Sequence, residues 1–210
     1  LRGRLAAKGH TFFSGSDTEV LLHAYREYGA AMVEHLRGMF AFVIWDAEKQ
    51  GIFLARDHFG IKPLYYHDDG KTLRVASQVK AVLAGGAIDA QAEPAGHVGF
   101  FLWGFVPEPY TLYRNLFALP AGHTLWIDQS GPRVPRSYFD VAEELGNAAG
   151  TKPPGDATAI LAASLTDIVK HHLTADVPVG RVLPSTIDAT TLPVLSPYDI
   201  NHLHAVPLGP

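Results

Sequence analysis

Cysteine is absent from the 210-residue sequence, so the chain can form no disulfide, no thiolate metal site and no cysteine nucleophile of its own. The sequence has no large excess of charge of either sign. Its net charge is −4, which favours neither nucleic acid nor an anionic membrane surface as a partner. Long hydrophobic runs are also missing, because the longest, "VGFFLWGFV" (residues 98–106), is too short to cross a bilayer. No secretory signal is visible, and we expect a cytoplasmic protein.

What is present is an ordinary globular composition, with 47% hydrophobic and 18% charged residues. The length suffices for one full domain and part of a second. Because the first residue is Leu1 and not methionine, we expect the sequence to begin inside a longer reading frame.

Helical and strand signals alternate in blocks along the first 138 residues. A short helix is predicted to end at Gly9, and a capping box of Ser16 and Glu19 predicts the start of a second one, with a third, shorter helix after it. The stretches "MFAFVIWDAEKQGIFLARD" and "PLYYHDDGKTLRVAS" predict two β-hairpins, followed by the short helix "VKAVLAGG". A further strand is expected near residues 123–128.

The composition changes after Tyr138. Residues 140–155 are small, polar and rich in glycine and proline, which predicts a linker. A helix is expected to begin after Asp156 as N-cap and to lead into the apolar strand "VPVGRVL". Residues 184–210 have no clear period, and we expect them to be irregular.

Several of these stretches together resemble one family. "SGSDTEVLLHAY", "LRGMFAFVIWD", "FLARDHFGIKPLYY" and "LPAGHTL" are similar, in this order, to the glutaminase domain of glutamine-hydrolysing asparagine synthetase, a class II glutamine amidotransferase. "SLTDIVKHHLTADVPVG" resembles the start of that enzyme's synthetase domain. The resemblance implies an incomplete glutaminase domain over residues 1–139 and the start of an ATP-pyrophosphatase domain over residues 156–183.

The resemblance implies an α+β fold of the N-terminal nucleophile hydrolase type, with stacked antiparallel sheets between helical layers (αββα) before an α/β domain. It implies glutamine as the small-molecule partner, and homodimers are common in the family. In the family, a terminal cysteine attacks the glutamine amide and releases ammonia, which converts an aspartyl adenylate to asparagine. ATP and magnesium serve the intact family enzyme, whereas we expect no cofactor and no metal for this chain.

Two elements of that chemistry are missing from the sequence. The cysteine nucleophile and the oxyanion-hole Asn-Gly pair of the family have no counterpart in the 210 residues. We therefore expect no catalytic residue in this chain, and we interpret it as a fragment or decayed copy that is inactive as given.

One glutamine-binding position of the family is retained. The aspartate of the family's Gly-Ser-Asp stretch holds the α-amino group of glutamine, and its counterpart is Asp17, preceded by Gly15 and Ser16. The local alternative is an acid in the first turn of a helix, where the helix dipole favours negative charge. The two interpretations are compatible, since Ser16 can cap the helix while Asp17 points into a pocket.

The stretch "ARDHFGIKPLYY" holds three charges that could be catalytic. We favour a structural role, in which Gly60 and Pro63 fix a turn and Arg56 and Asp57 form a buried or half-buried pair, with Lys62 beside them. Where the family commonly has Ala-Ser-Glu before a helix, this chain has Ala-Ser-Gln at residues 76–78, and so lacks a carboxylate that shapes the passage between the family's two sites.

The nucleotide loop of the family has lost its glycines here. Against the family's Ser-Gly-Gly-x-Asp-Ser, the chain has a degenerate loop: Pro184, Ser185, Thr186, Ile187, Asp188 and Ala189. Proline has no N–H to donate, and β-branched threonine disfavours the positive φ that a phosphate-wrapping loop needs. We expect no ATP binding at this loop.

Two alternatives stay open. One is a related enzyme on the same scaffold, such as a β-lactam synthetase-like protein or another class II amidotransferase. The other is a non-catalytic glutamine-binding module. The histidine clusters at residues 171–172 and 202–204 match no known ligand set, and we interpret them as surface histidines.

Overall fold

The computed structural model describes residues 1–86, 88–151 and 155–172, and the backbone of two strands at residues 179–183 and 203–207. The chain divides into two compact units, Leu1–Asn147 and Ala148–Pro210. In the described part of the chain, no helix is long and apolar enough to cross a membrane.

The first unit begins with three helical segments: α1 (Arg2–Ala7), α2 (Asp17–Tyr28) and a 3-10 helix (Gly29–His35). Ser16 is the N-cap of α2, and its hydroxyl accepts a hydrogen bond from the Thr18 N–H at 3.1 Å. The predicted capping box is wrong in its second half. The Glu19 carboxylate does not bond to the N-cap residue. It accepts hydrogen bonds from the backbone N–H groups of Phe13 and Ser14 instead.

Two antiparallel sheets follow, and both predicted hairpins are confirmed. The first sheet has the order β1-β2-β6-β7, with β8 also paired to β6, where the strands are β1 (Ala41–Asp46), β2 (Gly51–Arg56), β6 (His123–Asp128), β7 (Gly131–Pro132) and β8 (Arg136–Ser137). The second has the order β4-β3-β5, with β3 (Tyr65–Asp68), β4 (Leu73–Ala76) and β5 (Phe117–Ala118).

Two hydrophobic clusters hold these layers together. One lies between the sheets and consists of Leu54, Leu64, Tyr66, Leu119, Leu125 and Ile127. The other joins the first sheet to the N-terminal helices and consists of Leu5, Ala24, Met32, Val33, Ile44, Phe53 and Ala55. Side chains alternate along β2, so Leu54 faces one cluster and Phe53 the other. The predicted α+β class, with stacked antiparallel sheets and helical layers, is confirmed.

One position in the first sheet requires glycine. Gly51 begins β2 and faces Trp126 on β6, and a Cβ added at Gly51 would lie 2.1 Å from the indole ring. The ring therefore occupies the space of the missing side chain and packs directly on the backbone of β2.

The second sheet carries a helix, α3 (Val79–Ala84), as predicted. The apolar run at residues 98–106 contributes to α4 (Pro94–Trp103), which the sequence analysis did not assign. Much of this run is exposed, including Phe101 at 82% and Trp103 at 60%. An apolar surface of this kind is unusual for a solvated helix.

The segment after the first unit's sheets departs from the prediction in two places. Part of the predicted linker 140–155 is helical, because α5 spans Val141–Ala148 with Glu143 and Glu144 in its first turn. In the second unit, α6 (Ala157–His172) begins after Asp156 as predicted, and β9 (Val179–Leu183) confirms the apolar strand. The expected irregular tail 184–210 contains β10 (Leu203–Pro207), which pairs in parallel with β9.

Candidate functional site

An open groove of about 730 Å³ lies where the start of α2 faces β1 and the end of β4. Its walls are mostly apolar and come from α2, β1, the turn after β2, and β4. The polar side chains on the groove are Asp17 and Thr18 at one end of α2, together with Lys62 and Ser77. Among the residues that the structure describes, Asp17 is the only acid that lines it.

The Asp17 carboxylate is free to accept a ligand. Asp17 is exposed, and among the described residues its one hydrogen bond is a long contact of 3.5 Å from the Thr18 hydroxyl. As the first residue of a twelve-residue helix, its charge is stabilised by the helix dipole. A carboxylate in this position, with an apolar groove beside it, can bind an ammonium group at the end of a short aliphatic molecule.

The other two residues of the predicted glutamine-binding stretch lie outside the groove lining. Ser16 is committed to the cap of α2, and its own N–H donates to the Ser14 hydroxyl at 3.2 Å. Gly15 is exposed, and a Cβ there would meet no atom within 4 Å. Of the three residues, the structure therefore brings only Asp17 to the groove.

Glu19 fixes the loop that leads to Asp17, a role that the sequence does not predict. Its carboxylate accepts hydrogen bonds from the Phe13 N–H at 2.7 Å, the Ser14 N–H at 2.8 Å and the Ser14 hydroxyl at 2.7 Å. These donors, the Phe13 N–H first, lower the pKa of Glu19 to about 2. The S-x-x-E spacing was the available signal, but it predicted a bond to Ser16.

Asp57 organises the turn that forms the opposite wall of the groove. It is only 1% exposed, and its carboxylate accepts backbone N–H groups from Phe59, Ile61, Lys62 and Phe40. The bonds from Ile61 and Lys62 are 3.0 and 2.9 Å long. Asp57 therefore holds the turn against the strand that starts at residue 41, and its role is structural, as predicted.

Arg56 is buried as well, but it does not form the pair with Asp57 that the sequence predicts. Its guanidinium donates to the carbonyl oxygens of Lys62, Gly60 and Leu119 and forms an ion pair of 2.5 Å with Glu108. The expected pair was wrong because Arg56 bonds to three carbonyl oxygens and Glu108, whereas Asp57 bonds to four backbone N–H groups. Lys62 lines the groove and supplies its positive charge there.

The Ala-Ser-Gln stretch borders the same groove. Ala76 and Ser77 line it, whereas Gln78 is exposed at the N-cap of α3 and makes no side-chain cap hydrogen bond. Gln78, which stands where the family has a carboxylate, therefore does not line the groove.

The predicted nucleotide loop cannot be placed. Ser185, Thr186 and Asp188 lie outside the described residues. His171 contacts Asp167 one turn earlier on α6, and in the part of the chain that the structure describes no group of three or more potential ligands could hold a metal ion.

Comparison with known proteins identifies the family. The sequence profile described as "Glutamine amidotransferase domain" matches residues 1–139. The chain belongs to the glutamine amidotransferase domain family. The description of this family implies glutamine as its substrate.

Two relatives of this chain bear the name of the same kind of enzyme. The chain is 34% identical over 197 residues to asparagine synthetase [glutamine-hydrolyzing] 3 of Bacillus subtilis. The aligned region covers 93% of this chain and 31% of that protein. It is 33% identical over 204 residues to putative asparagine synthetase [glutamine-hydrolyzing] 2 of Methanocaldococcus jannaschii, over 93% of this chain and 38% of the relative. The resemblance to this family is confirmed, and the chain spans about a third of the length of these relatives.

One solved structure that matches this chain is the glutamine phosphoribosylpyrophosphate amidotransferase from B. subtilis complexed with ADP and GMP. The TM-score is 0.44 at 22% sequence identity, and the match covers 90% of this chain and 39% of that one.

Proposed function

We propose that this chain is the glutamine-recognising part of a glutamine-dependent asparagine synthetase, in which Asp17 binds the α-ammonium group of glutamine. The observation that carries the proposal is the unengaged Asp17 carboxylate at the head of α2, facing an apolar groove. The similarity to asparagine synthetases over 93% of the chain supports it.

The chemistry of the groove suits an amino acid with a short aliphatic side chain. Asp17 would neutralise the ammonium group, and Lys62 supplies a positive charge in the same groove for the α-carboxylate. The apolar walls would contact the methylene groups of the side chain. Glu19 and Asp57 act indirectly, because one fixes the loop before Asp17 and the other fixes the turn that carries Lys62.

Hydrolysis needs groups that these 210 residues do not contain. An amide is a poor electrophile, and the family attacks it with a cysteine beside an oxyanion hole. The sequence has no cysteine and no Asn-Gly dipeptide. Loss of a single oxyanion donor typically lowers the rate by about 100- to 1000-fold, so we propose that the 210 residues alone release no measurable ammonia from glutamine.

The second unit fits the start of the synthetase part of such an enzyme. ATP and magnesium would serve the whole protein, which we expect in the cytoplasm. The degenerate loop with Ser185, Thr186 and Asp188 lacks glycine, so we propose no ATP binding by this chain.

A second candidate is a non-catalytic glutamine-binding module. It is favoured by the combination of a free Asp17 carboxylate with the absence of cysteine from the sequence. Such a module would bind glutamine and leave it intact.

Asp17→Asn tests the recognition step. A family segment with the cysteine and the Asn-Gly pair is fused to Leu1, and kcat/KM for glutamine is measured with and without the substitution. Because a charge-assisted hydrogen bond contributes about 1.5–3 kcal/mol, we expect kcat/KM to fall about tenfold to hundredfold. The melting temperature should hardly change, since Ser16 still caps α2.

Asp140→Asn is the matched control. Asp140 directly precedes α5 and accepts the Glu143 N–H at 3.0 Å, but it does not line the groove. We expect this variant to keep kcat/KM. If Asp17→Asn leaves kcat/KM intact and only lowers the melting temperature, Asp17 is a helix-stabilising acid and the proposed contact does not exist.

A further inference from the structure

Helix α4 buries its smallest residues and exposes its largest ones. Gly96 and Gly99 are buried, and a Cβ added at either position would collide with Thr111 or Pro107 in the loop after the helix. A surface helix normally turns its apolar side chains toward the core and its polar ones toward water. In α4 and the residues just after it, large apolar side chains lie on the surface with 56–82% of their area exposed, and we call them the α4 face: Val98, Phe101, Leu102, Trp103 and Phe105.

The members of the α4 face form one continuous surface. Val98, Phe101 and Leu102 are spaced by three and four residues, which places them on one side of the helix. The helix ends at Gly104 in a left-handed conformation, and the ring of Phe105 then stacks beside that of Trp103, with 6.2 Å between the ring centroids. The apolar surface therefore continues past the end of the helix.

The α4 face is large enough to form the core of a protein interface. An aromatic side chain buries about 150–250 Å² when it is covered, so its three rings, exposed at 60–82%, offer roughly 300–500 Å². Val98 and Leu102 add to this area. Each partner in a standard interface contributes about 800 Å², and the core of such an interface is rich in aromatic residues and poor in charged ones.

The charge of this surface favours a second copy of the chain as its occupant. Residues 94–107 contain no aspartate, glutamate, lysine or arginine. Two copies of an uncharged face can meet without like-charge repulsion, whereas a strongly charged partner would find no counter-charge there. A membrane surface is disfavoured, because helices that lie on membranes carry lysine and arginine on their polar side.

We propose that the α4 face is the core of a symmetric dimer interface. In a twofold arrangement the same residues of both copies meet, so an apolar face packs against an identical apolar face. Phe101 and Trp103 are the expected anchors, because large aromatic side chains dominate the energetics of such contacts. The two glycines on the inner side hold α4 against the loop that begins at Pro107, so the face is presented on a helix that is packed from behind.

Sedimentation velocity of the 210-residue chain at micromolar concentrations measures the dimerisation constant. We expect a monomer–dimer equilibrium that Phe101→Glu and Trp103→Glu each weaken at least tenfold, because each places a charge in a desolvated core. Both side chains are exposed, so circular dichroism should show an unchanged fold. Phe13→Glu is the matched control: Phe13 is 91% exposed but lies in the loop before α2, and this variant should dimerise like the wild type.

Crosslinking gives a second readout that leaves the interface apolar. Because the sequence has no cysteine, Leu102→Cys introduces a single thiol, and a short bis-maleimide should join two copies of this variant but not two copies of Phe13→Cys. Trp45→Glu, at an exposed position of the edge strand β1, should leave the dimer intact. A wild-type chain that stays monomeric would assign the face to another occupant and overturn the proposal. A dimer that only Trp45→Glu abolishes, or equal crosslinking of the two cysteine variants, would overturn it as well.

Discussion

Asp57 combines near-complete burial with a set of hydrogen bonds that only a carboxylate can accept. Four backbone N–H groups point at its two oxygens, two at each. A buried N–H that loses its acceptor costs roughly 1–3 kcal/mol, because it has given up water without gaining a partner. The turn between β2 and β3 therefore depends on this single side chain.

Asp57→Asn should lower the free energy of unfolding by about 1.5–3 kcal/mol, because the amide nitrogen cannot accept the N–H groups on its side. Denaturant unfolding measures this directly. Asp68→Asn is the control, since Asp68 accepts the Gly70 N–H in an exposed hairpin turn, and we expect a change within about 0.5 kcal/mol. Equal effects of the two substitutions would contradict the role assigned to Asp57.

At the scale of single residues, the sequence predicted which side chains are buried better than it predicted their hydrogen-bond and ion-pair partners. The stretch around Arg56 and Asp57 was correctly expected to be structural, but their direct pairing was wrong. Hydrogen bonds to backbone groups leave no pattern in the side-chain sequence, and a carboxylate that collects N–H groups from a turn looks like any other acid next to an arginine.

Among the elements, α2 shows how one side chain can fix the loop before a helix. Glu19 sits in the first turn but bonds to Phe13 and Ser14, so it anchors the loop and not the N-cap. Its pKa in the folded chain is about 2, below the ordinary value of 4.5. The stability that it contributes is therefore fully present above pH 4.5 and is lost as the pH falls toward 2.

Glu19→Gln should lower the melting temperature at pH 7, and the difference from the wild type should shrink as the pH approaches 2. The sign follows from the lowered pKa, because the wild-type carboxylate becomes protonated in that range and loses its advantage over the amide. Thermal unfolding between pH 7 and pH 2.5 measures it. Glu48→Gln, at an exposed acid of the β1–β2 turn, is the control and should leave the melting temperature at pH 7 unchanged. A pH-independent difference for Glu19→Gln would argue against the anchor.

Elements with strong local signals were predictable, and elements defined by their surroundings were not. The two hairpins followed from alternating residues around turn sequences, and α6 followed from its N-cap at Asp156. The helix α4 was missed because its run of apolar residues has no polar face to give a helical period. The small, polar composition of α5 is typical of a linker and hides the helix. No local pattern marks β10, because its pairing partner β9 is distant in the sequence.

On the scale of the whole molecule, the chain consists of a unit that matches the glutamine amidotransferase profile and a second, smaller unit. The first unit contains the groove and the free Asp17 carboxylate. It also contains Glu19, which fixes the loop before Asp17, and Asp57, which fixes the turn on the opposite wall. The sequence offers no cysteine to attack a substrate bound there. We propose that the chain retains the recognition of glutamine and lacks the groups that hydrolyse it, and this is our central claim.

The rate of ammonia release from L-glutamine tests that claim most directly. It is measured for the 210-residue chain and for the same chain with a family segment, carrying the cysteine and the Asn-Gly pair, fused to Leu1; a fusion with that cysteine changed to alanine is the control. We predict no release above background by the chain and by the control, and glutaminase activity in the cysteine-containing fusion. Ammonia release by the unfused chain, or a folded fusion without activity, would contradict the account.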